Sequence, residues 1–81
     1  MTEQQSQSTR ILALVGGPAN VQDLTHCISR LRFRLHDKAL VDEARLRALP
    51  DVVTTMYRAD ELHVAIRSGV VQMHADIVTQ L

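Results

Sequence analysis

The one cysteine of the chain, Cys27, opens the run Cys27-Ile28-Ser29-Arg30-Leu31-Arg32-Phe33-Arg34. A cysteine attacks as thiolate, and nearby guanidinium groups or unpaired backbone N–H groups lower its pKa from the ordinary value of about 8.5. Arg30 and Arg32 stand close enough in sequence to supply that charge. An anionic group carried on the sulfur, a phosphoryl group above all, would find its donors in the same guanidinium groups, in the Ser29 hydroxyl and in the amides of a tight turn such as that of Ile28. The plain alternative is a small buried thiol with no chemistry. A lone cysteine forms no intramolecular disulfide, and His26, His36, His63 and His74 show no partners at zinc-ligand spacing, so neither a metal site nor a cofactor is expected. Gly16-Gly17-Pro18 lacks the Gly-Lys-Ser/Thr ending of a phosphate loop and reads as a helix stop.

The elements that would hold Cys27 follow from periodicity. Leu31, Phe33 and Leu35 alternate with Arg30, Arg32, Arg34 and His36, the period of two expected of a strand with one apolar face and one open face. A short strand around residues 23–26 precedes it, and a turn over residues 27–29 puts Cys27 at a hairpin tip. On this reading Arg34, farthest from the cysteine, belongs to a solvated strand face, and His26 is structural or solvated. Ahead of the hairpin, Ile11, Leu12, Leu14 and Val15 form a short helix beginning near Ser8 or Thr9, so residues 1–8 read as a flexible tail and residues 9–81 as one domain. Asp42 caps a second helix that Pro50 ends. Two β-rich runs, 52–57 and 62–66, flank a polar turn at Arg58-Ala59-Asp60-Glu61, with His63 on the same face as Glu61 and Arg67 and opposite Leu62, Val64 and Ile66. Ser68 caps a final helix in which Val70, Met73, Ile77 and their neighbours fall at helical spacing. The order helix-strand-strand-helix-strand-strand-helix predicts an α+β fold: a four-stranded antiparallel sheet with three helices on one face.

Composition bounds what such a domain can do. With 81 residues the chain buries only a modest core, mostly aliphatic, since Phe33 and Tyr57 are its only aromatic residues. Nine basic and nine acidic side chains cancel, which disfavours nucleic acid or an anionic membrane as main partner. No apolar run reaches the roughly 20 residues of a membrane-spanning helix, and the polar start has no secretory signal, so a cytoplasmic protein without membrane insertion is expected.

In these residues the sequence resembles the enzyme IIB domain of the glucose family of bacterial sugar phosphotransferase systems. The resemblance covers residues 9–81 and is strongest at Cys27-Ile28-Ser29-Arg30-Leu31-Arg32, with Gly16-Gly17 and Asn20 before it and Asp37, Val41, Asp42 and Leu46 after it. It implies that Cys27 accepts a phosphoryl group from a histidine of a IIA protein and gives it to a sugar held by a membrane-embedded IIC protein. Arg30 and Arg32 match the family's arginines beside the phosphocysteine, and Ser29 stands where the family usually has threonine. The second hairpin departs from the pattern: His63 falls roughly where the family has a glutamine and Arg67 where it has a glycine. His63 could add a donor to the phosphoryl group. The altered stretch 56–67 keeps open a second reading, a regulatory module with the same fold, and an exposed cysteine without a resolving partner keeps open a redox sensor.

Overall fold

A computed structural model describes residues 6–81 of the chain. Along it run helix α1 (Gln7–Leu14), strands β1 (Val21–His26) and β2 (Arg30–Leu35), helix α2 (Glu43–Ala48), strands β3 (Val52–Arg58) and β4 (Glu61–Ile66), and helix α3 (Val70–Val78). Two single 3₁₀ turns, Pro18–Asn20 and Lys38–Leu40, complete the connections. The strands form one antiparallel sheet in the order β1-β2-β4-β3, so two local hairpins meet along the central β2–β4 pair.

The period-two pattern of β2 sorts the sheet's faces as the sequence predicts. Leu31 and Phe33 are fully buried, while Arg30 and Arg32 are half-buried and Arg34 is exposed. Leu62, Val64 and Ile66 of β4 point to the same core. All three helices close that side: Ile11, Leu12 and Val15 from and just after α1, Leu46 from α2, and Val70, Met73 and Ile77 from α3 join the strand residues in one cluster. Burying side chains of this size stabilises by about 1.5–3 kcal/mol each. Among the described residues the opposite face carries no helix and displays the alternate residues.

Two boundaries differ from the sequence reading. Helix α1 begins at Gln7, capped by Ser6, whose hydroxyl oxygen accepts the Thr9 N–H at 3.2 Å. Ser8 is buried with its hydroxyl 3.0 Å from Met73 Sδ. Gln7 brackets Asp51, donating from Nε2 to Oδ2 and accepting the Asp51 N–H at Oε1, both at 3.0 Å. Residues 6–8 therefore belong to the folded unit: Ser6 caps the helix, and Gln7 and Ser8 are anchored by partners more than 40 positions away that no local pattern announces. The first five residues of the expected tail lie outside the described residues. At the other end Ser68 does not cap α3; the N-cap is Gly69, in the left-handed region at φ 74°, with no side-chain capping bond.

The connection from α1 into the sheet turns on Asn20, which is 4% exposed. Its Nδ2 donates to Val15 O at 2.7 Å and to Asp37 O at 3.0 Å, and its Oδ1 accepts the Asp37 N–H at 2.9 Å. One side chain thus ties the end of α1 to the segment leaving β2. Gly16 lets it do so: a Cβ there would stand 2.6 Å from Asn20 Nδ2 and 2.9 Å from Leu40 Cβ, on a backbone at φ 108°.

Candidate functional site

The β1–β2 hairpin closes through the Cys27 N–H, which donates to Arg30 O at 2.9 Å. The three residues of the loop then divide their tasks. Ser29 O accepts the Ile66 N–H at 2.8 Å, fastening the loop to the exit of β4. Ile28 is carried outward and is 93% exposed. From the helix side, a ring N–H of His26 donates through Nδ1 to Cys27 O at 2.9 Å, and the His26 ring lies against His74 of α3 at 4.6 Å between centroids, tilted by 59°. His74 in turn donates through Nε2 to Leu24 O at 3.2 Å. His26 is thus a structural histidine, holding the carbonyl side of the loop.

With its own N–H and carbonyl engaged, Cys27 keeps its side chain half-buried at the rim of the open face. Its thiol is held below the ordinary value, first by the Ser29 N–H. Partial burial works against this, and the Arg30 N–H together with the hydrogen bond and the positive charge of the Arg32 guanidinium lowers the thiol further. Of the two arginines singled out from the sequence, Arg32 acts on the sulfur through its side chain and Arg30 through its backbone N–H.

The β2–β4 pairing brings a further group to this face. Arg32 lies directly opposite His63 across that pair, and His63 lies opposite Met56 across the β3–β4 pair. Although it is on the side without helices, His63 is only 6% exposed, packed between these neighbours. Its Nε2 is 3.2 Å from Glu61 Oε1, and the other carboxylate oxygen of Glu61 is 3.6 Å from Arg34. Arg34, read from the sequence as part of a solvated face, is an exposed partner in that ion pair. Two buried nitrogens on the directly opposed residues, Arg32 Nε and His63 Nδ1, have no hydrogen-bond partner among the described residues. Arg67, next after the strand, is exposed and donates weakly through Nε to Pro50 O at 3.4 Å.

Sequence reasoning missed Glu61 as a neighbour of the site. The signal was present in the alternation that puts Glu61 and His63 on one face, but only the β2–β4 register sets that face beside Arg32. Among the described residues no group of three or more His, Cys, Asp and Glu side chains is arranged to hold a metal ion. Nor is any helix long and apolar enough to cross a membrane.

Residues 9–42 match the family model for the phosphotransferase system EIIB. The beta-glucoside-specific EIIBCA component of the phosphotransferase system of Bacillus subtilis is 42% identical over 71 residues, which are 88% of this chain and 12% of that protein. The arbutin-, cellobiose- and salicin-specific EIIBC component of Escherichia coli is 34% identical over 71 residues, 88% of this chain and 15% of that protein. The chain thus spans less than a sixth of the length of either relative. In fold it is similar to one domain of the IIabc component of the phosphotransferase system from Clostridium difficile, with a TM-score of 0.75 at 19% identity, covering 93% of this chain and 79% of that one. A cysteine at a hairpin tip, arginines on the open face of an α+β sheet, and relatives that agree over nearly the whole chain lead to one conclusion: the chain belongs to the EIIB family of the sugar phosphotransferase systems, within its glucose family.

Proposed function

We propose that the chain is a phosphoryl carrier, with Cys27 accepting a phosphoryl group from a phosphohistidine of a IIA protein and passing it to a sugar bound by a IIC membrane protein. The observation that carries this reading is the place of Cys27 at the hairpin tip, its N–H bonded to Arg30 O and the loop fastened by Ser29 O to the Ile66 N–H, where the Ser29 and Arg30 N–H groups and the Arg32 guanidinium hold the thiol below its ordinary value. They favour the thiolate needed for attack. Once the sulfur–phosphorus bond has formed and the donor's nitrogen–phosphorus bond has broken, with its electron pair left on the donor imidazole, the same donors meet the phosphoryl oxygens. The second transfer reverses the roles, the thiolate leaving as a sugar hydroxyl attacks phosphorus. Arg30 and Arg32 stabilise the transferring charge. The amides of Ile28 and Ser29, the Ser29 hydroxyl and His63 complete the oxygen-binding shell.

The carrier works at the cytoplasmic face of the membrane, where the IIC protein holds the sugar. Since the Bacillus subtilis relative is named for beta-glucosides, a IIA protein of a beta-glucoside system is the first donor to try. The test is intact-mass measurement after incubation with phosphoenolpyruvate, the general phosphotransfer proteins and that IIA, for the wild type and for Cys27→Ala. One added phosphoryl group, absent in the variant, is expected. No addition with any of several IIA donors rejects the carrier reading.

One observation favours the second reading, a regulatory module on the same fold. The stretch that departs from the family pattern runs from the end of β3 through the whole of β4, and at its end beside the loop Arg67 is laid against Pro50 O where the family has glycine. Reversible phosphorylation of Cys27 competent for onward transfer to sugar would remove this reading.

A further inference from the structure

Glu61 imposes a constraint on His63 that decides what the imidazole can do for an anion. An ionised carboxylate only accepts hydrogen bonds, so the contact of 3.2 Å between Glu61 Oε1 and His63 Nε2 requires the ring hydrogen to sit on Nε2. A singly protonated ring then presents a bare lone pair at Nδ1. Among the described residues that atom is buried without a partner, directly across the β2–β4 pair from Arg32, whose Nε is likewise buried without one. A buried polar atom left unpaired is costly in a folded chain. Two of them on opposed residues of the face that carries Cys27 suit the arrival of an acceptor group.

Arg32 Nε–H can meet a phosphoryl oxygen as it stands. His63 cannot: with Nε2 committed to Glu61, it becomes a donor at Nδ1 only by taking a second proton. We infer that loading a phosphoryl group onto Cys27 is coupled to uptake of one proton at His63 Nδ1, with Glu61 the positioning residue that enforces the coupling by fixing the ring's tautomer. The inference rests on the carrier reading and deepens it.

The charges around the ring argue the same way. From β2 it faces Arg32 directly and Arg30 and Arg34 diagonally; from β3 it faces Met56, with Thr54 and Arg58 diagonal; its own strand supplies Glu61 and Ala65, and Arg67 follows. A phosphoryl dianion brought to this face sets an opposite charge on the side of the ring away from Glu61, and a nearby opposite charge favours a donor at Nδ1. In the covalent step the Cys27 thiolate bonds to phosphorus as the donor's nitrogen–phosphorus bond breaks, the electron pair staying on the donor nitrogen. The proton taken by Nδ1 comes from solvent.

The test follows the His63 ring nitrogens by ¹⁵N NMR at one pH in the whole chain, before and after phosphorylation by phosphoenolpyruvate, the general phosphotransfer proteins and IIA, with the mass of Cys27 loading measured on the same sample. The expected result is an Nδ1 signal that moves from the position of a bare ring nitrogen toward that of an N–H, while Nε2 keeps its hydrogen. As pH rises through the coupled range, the loading equilibrium of the wild type should fall relative to that of His63→Gln by about tenfold per pH unit. Glu61→Gln separates coupling from mere packing. A glutamine amide can donate to a bare Nε2, which frees the singly protonated ring to offer its hydrogen at Nδ1. The variant should therefore load with its ring singly protonated and lose the excess pH slope. A wild-type ring that stays unchanged in phosphorylated chain overturns the inference and leaves the carrier reading intact. A chain that never gains a phosphoryl group overturns both.

Discussion

Cys27 depends on three neighbours that act on it in different ways. The Ser29 N–H contributes most to keeping the thiol below its ordinary value, the Arg30 N–H adds to it, and Arg32 supplies both a hydrogen bond and a charge. The amides come with the loop and survive any side-chain change, so Arg32→Ala should raise the thiol only part of the way back. Iodoacetamide alkylation rates measured against pH should show the variant's midpoint above the wild type's and still below that of an ordinary thiol. Because a lowered thiol is more fully ionised near neutrality, the wild type should also react faster there. Ile28 presents the opposite case. At 93% exposure it contributes almost nothing to the core, so Ile28→Asp should leave stability within about 0.5 kcal/mol. The same change sets an acid beside an incoming phosphoryl group and should lower kcat/KM for transfer from IIA, read by the rate of mass gain.

Among the elements, the connection from α1 and the β3–β4 hairpin respond to mutation in opposite directions. Asn20 satisfies two carbonyls and one N–H in a buried position. Asn20→Ala strands all three and should cost about 2–4 kcal/mol, seen as a lower urea midpoint with little change in slope. At the hairpin, Ala59 and Asp60 both take positive φ, 49° and 69°. This is the turn geometry that matches strand twist and that glycine and asparagine adopt most readily. Left-handed backbone costs a residue with a Cβ about 1–2 kcal/mol, offset in part by the flexibility glycine adds to the unfolded chain. Ala59→Gly should therefore stabilise by about 0.5–1 kcal/mol, a rise of several degrees in Tm for a domain of this size. The turn lies at the far end of β4 from the Cys27 loop, so the gain should come without a change in thiol reactivity.

At the scale of the whole molecule, one sheet separates stability from chemistry by its two faces. The helix-covered face holds Phe33, Leu31, Leu62 and Val64, all fully buried, and the bare face holds Cys27, the arginines and His63. Phe33→Ala should cost about 3–5 kcal/mol. Against the 5–15 kcal/mol typical of a domain, that is a large share of the total. Circular dichroism should show a much lower melting temperature, and the thiol of the unfolded fraction should return toward ordinary reactivity as the loop's donors disperse. Much of this division was legible beforehand. The alternation of residues 30–36 separated core from open face, Asp42 and Pro50 bounded α2, and the run from Cys27 to Arg32 set the one thiol beside the arginines of β2.

Those features are legible because they are local: strand alternation, helix caps and a turn between two strands depend on residues a few positions apart. The places where the sequence reading fell short involve distant partners. The start of α1 at Gln7 depends on Asp51 and Met73, and the handover at α3 from Ser68 to Gly69 depends on how the chain leaves β4. By itself the sequence determined the order and type of the elements and placed Cys27 with its arginines at the tip of a hairpin with one open face. Only the tertiary structure decided which strands lie side by side. The pairing of β2 with β4 sets His63 and Glu61 against Arg32, and it does so because backbone hydrogen bonds between strands constrain register wherever the strands meet but carry no record in the local sequence of which strand the neighbour will be.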